Sequence, residues 1–251
     1  MNYKIILCSL CLISSFAVAQ EMNSKFSLGG FISPNISYRT LKIADDYPIT
    51  GLENIWNESE NPKAGYSAGI IATYDVRKKI SLQTGIGFSN NGYSTEKRSS
   101  WFLNQFNNNN FNPTIGGSTS PAAWSNFNNA FYLDIPILVK YKFLEKKVGL
   151  YVIGGMEANF FVAGNTIVTY YYNDGREEKE KIKTKIPRVF NISAVIGMGV
   201  DIKLNPKTTL FIQPTFRYML VPISKDAIKT RFYSCGLNVG VAVSLPSKKS
   251  K

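Results

Sequence analysis

Two carboxylates, Asp134 and Glu157, are the side chains of this sequence best placed to do chemistry together. They lie in consecutive apolar blocks joined by the short stretch Leu144-Glu145-Lys146-Lys147. A symmetric hairpin at that stretch sets Asp134 directly opposite Glu157 and Lys140 opposite Tyr151. Two like charges held in a narrow space either share a proton, as acid–base pairs do, or recruit a cation. Arg217 stands about as far above its own turn at Asn205-Pro206-Lys207, and alternation points it the same way. Arg39, near the far end of the first block, can join it. The expectation is a lumenal ion-pair network of Asp134, Glu157, Arg217, Arg39 and Lys140 that acts as a structural plug. A hydrolase using carboxylates alone is the enzymatic alternative.

Composition removes most other chemistries. The 251-residue chain contains no histidine, which eliminates Ser-His-Asp catalysis and imidazole metal sites. Of its three cysteines, Cys8 and Cys11 fall within an apolar leader, leaving Cys235 without a partner for an internal disulfide. No metal, cofactor or catalytic residue is expected, and the chain reads as a non-enzymatic protein.

The leader itself has the form of a secretory signal. Lys4 supplies the positive region, Ile5 to Val18 is apolar, and Ala17-Val18-Ala19 is a small-residue cleavage site, so residues 1–20 are expected to be removed. Leu10 precedes Cys11 where a lipoprotein site needs a small residue, which argues against a lipid anchor. The formal charge of +12 falls to +11 without Lys4. For an exported chain this excess points to lipid head groups or surface polysaccharide rather than nucleic acid.

The elements that must position these residues are strands. Past the leader no stretch approaches the roughly 18 apolar residues of a membrane helix. Eight blocks instead alternate with period two, near 25–39, 65–76, 80–93, 130–143, 148–161, 189–204, 208–219 and 230–245. In the fourth, Phe131, Leu133, Ile135, Ile137, Val139, Tyr141 and Phe143 alternate with Tyr132, Asp134, Pro136, Leu138, Lys140 and Lys142. In the sixth, Phe190, Ile192, Ala194, Ile196, Met198, Val200, Ile202 and Leu204 alternate with Asn191, Ser193, Val195, Gly197, Gly199, Asp201 and Lys203. One face of each block suits lipid and the other does not.

Connections alternate in length as well. Arg77-Lys78-Lys79, Leu144 to Lys147 and Asn205 to Lys207 are tight turns, whereas 40–64, 94–129, 165–188 and 220–229 are longer. Up-and-down membrane barrels carry this asymmetry, with short periplasmic turns and long external loops. The expected fold is therefore all-β, an eight-stranded antiparallel up-and-down transmembrane β-barrel over residues 21–251 with both termini periplasmic. A lipocalin-like soluble barrel also has eight strands, but it encloses its apolar residues and turns the polar face to water.

The stretch Phe131-Tyr-Leu-Asp-Ile-Pro-Ile-Leu-Val-Lys-Tyr-Lys-Phe143 resembles the PorT-like outer-membrane β-barrel family of Bacteroidota, in which an L-x-I-P-L-L-x-K-Y-like strand recurs. Phe26-Ser-Leu-Gly-Gly-Phe31 and Gly236-Leu-Asn-Val-Gly-Val-Ala-Val-Ser-Leu245 look like that family's first and last strands. The resemblance implies the outer membrane of a Gram-negative bacterium and a barrel of scaffold or interaction type, with a member linked to protein secretion. The chain ends on Pro246-Ser-Lys-Lys-Ser-Lys251 rather than on the aromatic residue common in outer-membrane proteins.

Two long connections are candidate contact surfaces. The 94–129 loop combines Asn107 to Asn110 with Trp101, Phe102, Phe106, Phe111, Trp124 and Phe127, residue types that stack on sugars or a partner protein. Arg176 to Lys185 mixes both charge signs and reads as a solvated hairpin extension. Expected partners are outer-membrane lipid and an envelope protein or surface glycan. The alternatives are a narrow porin or a ligand-binding surface barrel.

Overall fold

The computed structural model describes residues 25–43, 60–99, 121–184, 188–224 and 228–246, and among these there is no helix. The strands are β1 (Phe26–Ile43), β2 (Glu60–Arg77), β3 (Ile80–Thr95), β4 (Arg98–Ser99), β5 (Ala123–Leu144), β6 (Val148–Tyr171), β7 (Glu177–Lys183), β8 (Phe190–Lys203), β9 (Thr208–Met219) and β10 (Ile228–Ser244). Eight of them close a ring in the order β1-β2-β3-β5-β6-β8-β9-β10, and β10 returns to pair with β1 from Ser27↔Ser244 to Ile43↔Ile228. Every neighbouring pair is antiparallel. Closure satisfies every edge of the ring, a requirement for strands that cross a membrane. The two remaining strands lie outside the ring's closure: β4 pairs with the upper part of β5, and β7 folds back on the upper part of β6.

Burial is inverted relative to a soluble protein. In β5 Ile137 is 62% exposed and its neighbour Leu138 only 4%, while Val139 is 52% exposed and Lys140 only 7%. The same inversion runs round the wall through Ile32, Ile70, Ile86, Met156, Ile196 and Val241, all exposed, against buried Ser33, Gln83, Asn159, Gln213 and Asn238. A continuous apolar belt of this extent is stable in contact with lipid and not with water. The soluble, lipocalin-like alternative is thereby excluded.

Aromatic rings bound the belt on both sides. At the long-loop end Phe88 stacks on Phe131 with centroids 5.7 Å apart, Phe160 packs on Phe190 at 5.2 Å, and Tyr38 meets Tyr233 edge-on at 5.8 Å. Phe26, Tyr74, Tyr141 and Phe143 are exposed at the short-turn end. From Phe131 to Tyr141 a strand rising ~3.3 Å per residue and tilted by ~40° covers ~25 Å, the height of a barrel's apolar band.

Two expectations need correction. The β5–β6 hairpin is not symmetric: it closes on Leu144↔Leu150, and a bulge at Phe143 then sets Lys142 opposite Tyr151. As a result Asp134 faces Asn159, Glu157 faces Pro136 and Lys140 faces Ile153, a slip of two residues. Because side chains alternate with period two, this slip keeps every residue on its assigned face. The expected loops are also partly strand. β5 begins at Ala123, β6 runs on to Tyr171 and β7 occupies 177–183, so the sheet rises well past the aromatic rim.

Candidate functional site

The lumen is filled in tiers. Nearest the short turns, Lys140 Nζ lies 2.6 Å from Asp201 Oδ2, and Lys142 Nζ lies 2.8 Å from Asp75 Oδ1. The Lys140 ammonium also sits 3.6 Å from the centre of the Tyr151 ring. Above this lies an apolar layer of Leu138, Tyr151, Ile153 and Val195. Tyr151 donates its hydroxyl to Gln213 Oε1 at 3.0 Å. Its ring lies against Gly199, where a Cβ would fall 2.3 Å from Tyr151 Cζ. Phe211 uses Gly240 the same way, with a Cβ position 2.4 Å from its Cζ. Bare glycine walls are what allow bulky rings to fill so narrow a barrel.

The next tier holds the carboxylates. Asn159 Nδ2 donates to Asp134 Oδ1 at 2.7 Å and to Glu157 Oε1 at 2.9 Å, and Ser193 Oγ donates to Asn159 Oδ1 at 2.6 Å. Arg217 Nε approaches Glu157 Oε2 at 3.5 Å, and Arg217 Nη1 donates to Thr215 Oγ1 at 3.0 Å. Asp134, Glu157 and Arg217 thus come together around an amide that alternation and spacing alone do not single out. Over them Ala130, Tyr132, Met219 and Phe232 form a second apolar layer, flanked by Phe161 and Tyr93.

Arg39 and Lys140 do not reach this cluster. Arg39 lies at the long-loop end, where its Nε donates to Glu60 Oε2 at 2.7 Å and its guanidinium covers the Tyr93 ring at 3.7 Å. The five residues expected in one network are instead divided among three ionic tiers separated by apolar layers. Glu60, Asp201 and Asn159 complete these tiers. Asp201 and Asn159 are on legible inward faces, whereas Glu60 falls in a stretch that reads as loop.

Little space remains inside. The void at the Asp134–Arg217 level measures about 30 Å³, room for one water. A wider vestibule of about 350 Å³ opens at the short-turn end between Lys142, Lys146, Asp201 and Lys203. Ile71, Gln83 and Phe211 line both this vestibule and the smaller void above it.

Above the rim, β5, β6 and β7 form a raised sheet. Trp124 and Phe127 belong to β5 there, with Trp124 paired to Tyr170 and Phe127 to Ile167. Trp101, Phe102, Phe106 and Phe111 lie outside the described residues, as do the leader and the tail after Pro246. At the β6–β7 tip, the Arg176 side chain donates to Asp174 Oδ2 at 2.6 Å. That bond holds the Asp174 carboxyl below the usual aspartate range.

A closed antiparallel wall with an apolar belt, aromatic rims and a packed polar interior defines a small outer-membrane β-barrel. The chain belongs to the family described as "Outer membrane protein beta-barrel domain", whose profile matches residues 18–225. Among solved structures it is similar to the outer membrane protein OprG from Pseudomonas aeruginosa, with 11% identity over 90% of this chain and 98% of that one and a TM-score of 0.50. Neisserial surface protein A is similar at 14% identity, 88% and 98% coverage and a TM-score of 0.39. The outer membrane protease OmpT from Escherichia coli follows at 6% identity, 92% and 100% coverage and a TM-score of 0.41. At these identities the likeness concerns fold alone. No curated protein matches the chain.

Proposed function

We propose that this protein is a sealed, non-enzymatic barrel of the PorT-like type in a Gram-negative outer membrane, serving as a scaffold or interaction component of the envelope. In this reading the leader is cleaved, both termini are periplasmic, and the long-loop end faces the cell exterior. The packing around the carboxylates is the observation that carries the proposal: at the Asp134–Arg217 level the void is about 30 Å³. A solute must pass this level and a carboxylate hydrolase needs a substrate cavity beside Asp134 and Glu157, and neither fits in that volume. Both carboxylates of the enzymatic alternative are moreover committed to Asn159, and Glu157 also to Arg217. The raised β5–β6–β7 sheet and its loops are then the surface available to a partner. The Phe131–Phe143 resemblance supports a place in or beside a protein-secretion assembly.

Liposome swelling tests this reading. Proteoliposomes of the full-length protein should show no more sugar influx than protein-free vesicles. Influx graded by solute size would overturn the sealed-scaffold reading in favour of a narrow porin.

A further inference from the structure

The segment Glu177-Glu-Lys-Glu-Lys-Ile-Lys183 alternates charge along the sequence, but as a strand it sorts those charges onto two faces. Lys183 pairs with Asn165, Lys181 with Ile167 and Lys179 with Thr169. These partners are in register with Asn129, Phe127 and Ser125 of β5. They continue the outer face that carries Phe131 lower on the same strand. The acids take the other face, where Glu180 accepts from the Tyr170 hydroxyl at 3.2 Å and Glu178 from the Tyr172 hydroxyl at 2.9 Å. Among the described residues no carboxylate lies within 4 Å of the three lysine ammoniums.

A second feature meets this lysine face at its base. Lys63 Nζ donates to Asn90 Oδ1 at 2.7 Å, Asn90 Nδ2 to Asn129 Oδ1 at 3.3 Å, and Asn129 Nδ2 to Asn165 Oδ1 at 3.1 Å. Each side chain in the row passes its donor in one direction, across β2, β3, β5 and β6, ending beside Lys183. The row begins at a lysine that is only 2% exposed and has no carboxylate partner within 4 Å among the described residues.

Height identifies what this wall meets. Asn165 and Lys183 lie two residues above the Phe131↔Ala163 pair of the aromatic rim, or ~5 Å along the membrane normal at ~3.3 Å per residue and ~40° tilt. The polar zone outside the hydrocarbon core is ~5–7 Å deep on each side. Lys183 therefore stands at head-group level, with Lys181 and Lys179 at successive ~5 Å steps above it. We propose that the outer wall of the β5–β6–β7 extension binds the phosphate groups of an anionic glycolipid in the outer leaflet, with Lys183 as the principal contact and Lys181 reaching down to it along its flexible stem. This rests on the reading that the long-loop end faces outward. The lipid's acyl chains would then lie along Phe131 and Phe160, with its phosphates against the lysines.

The test uses the full-length protein in micelles of an uncharged detergent. Its binding is measured to bisphosphorylated lipid A, to the same lipid with both phosphates removed, and to inorganic phosphate. Bisphosphorylated lipid A should bind most tightly, and the Lys179→Gln/Lys181→Gln/Lys183→Gln variant should bind it about tenfold more weakly, because each lysine near an anionic surface strengthens binding a few-fold before screening. Glu178→Gln/Glu180→Gln, on the opposite face, should bind at least as tightly as the wild type. Unchanged affinity in the triple variant, equal affinity for the dephosphorylated lipid, or full displacement by equimolar inorganic phosphate would each overturn the site. Retained heat-dependent gel mobility verifies the fold of each variant, and Lys183→Gln alone, expected to bind about threefold more weakly, replaces a triple variant that does not fold. Orientation is read separately by placing Thr169→Cys in a Cys235→Ser background and adding an impermeant maleimide to intact cells. Labelling supports the outward reading, and its absence would overturn orientation and occupant together.

Discussion

Arg217→Met is the sharpest perturbation of the lumen. In the native barrel Glu157 is 5% exposed; one of its oxygens accepts from Asn159 and the other faces Arg217 at 3.5 Å. Asp134, 6% exposed, accepts from the same amide at 2.7 Å. Coulomb attraction at 3.5 Å with an effective dielectric constant of about 20 is worth ~5 kcal/mol. Removal of one member of a buried pair costs about 3–5 kcal/mol, because the other charge is left uncompensated. The Glu157 contact is long, and the Thr215 bond shares the guanidinium, so a loss of about 3 kcal/mol, the lower end of that range, is expected. Glu157→Gln removes the stranded charge and leaves an amide of similar shape, so Arg217→Met/Glu157→Gln should be more stable than the two single changes predict by at least ~1 kcal/mol. Unfolding by denaturant in lipid vesicles, followed by the mobility of unheated samples, measures all four species. Additivity within about 0.5 kcal/mol would refute the coupled cluster.

Other positions test other parts of the structure. Gly199→Ala should cost about 1–3 kcal/mol in the same titration, since the Tyr151 ring occupies the space a Cβ needs; a neutral result would mean that the ring does not lie on the wall. Ile137→Lys, on the exposed centre of β5, should cost about 2–4 kcal/mol in vesicles, the penalty for a lysine at the bilayer midplane, whereas a change below about 0.5 kcal/mol would place that face in water. At the β6–β7 tip the Asp174 carboxyl, bonded by Arg176, should titrate below the ordinary aspartate range by NMR, and Arg176→Gln should return it. Because that folded value is depressed, the stabilisation of the tip is present above the unfolded aspartate range and is lost as pH falls through the lower folded one.

Period-two alternation makes the wall legible in the sequence. Ile137 and Leu138 are equally apolar, yet their neighbours Asp134, Lys140 and Lys142 on one side, and Leu133, Val139 and Tyr141 on the other, decide which faces lipid. Turn chemistry sets the order of the strands, since Arg77 to Lys79 and Asn205 to Lys207 permit only tight reversals. Register is less legible. The closure on Leu144↔Leu150 and the bulge at Phe143 together shift β6 by two residues without altering hydropathy on either face, so Asp134 meets Asn159 rather than Glu157. Strand ends are hidden for a related reason: above the lipid both faces of 123–130 and 162–171 are polar or mixed, and the contrast that marks a strand fades. The partners of Arg39 and Lys140 depend on that missing information, Glu60 lying in an extended strand end and Asp201 across two strand pairings. The charge sorting in β7 stays invisible for as long as Glu177 to Lys183 is read as solvated hairpin.

A nitroxide scan along β5 from Phe131 to Phe143, in a Cys235→Ser background and in lipid vesicles, tests the central claim most directly, because it reads wall and lumen in one experiment. Odd-numbered positions should be accessible to dissolved oxygen, with Ile137 near the maximum, and not to a water-soluble nickel chelate. Positions 134, 136 and 138 should be shielded from both reagents, as packed side chains require. Nickel access at positions 134, 136 and 138 would mean an open pore, and nickel access at the odd ones would mean a barrel whose apolar face does not meet lipid; either would contradict a sealed membrane barrel.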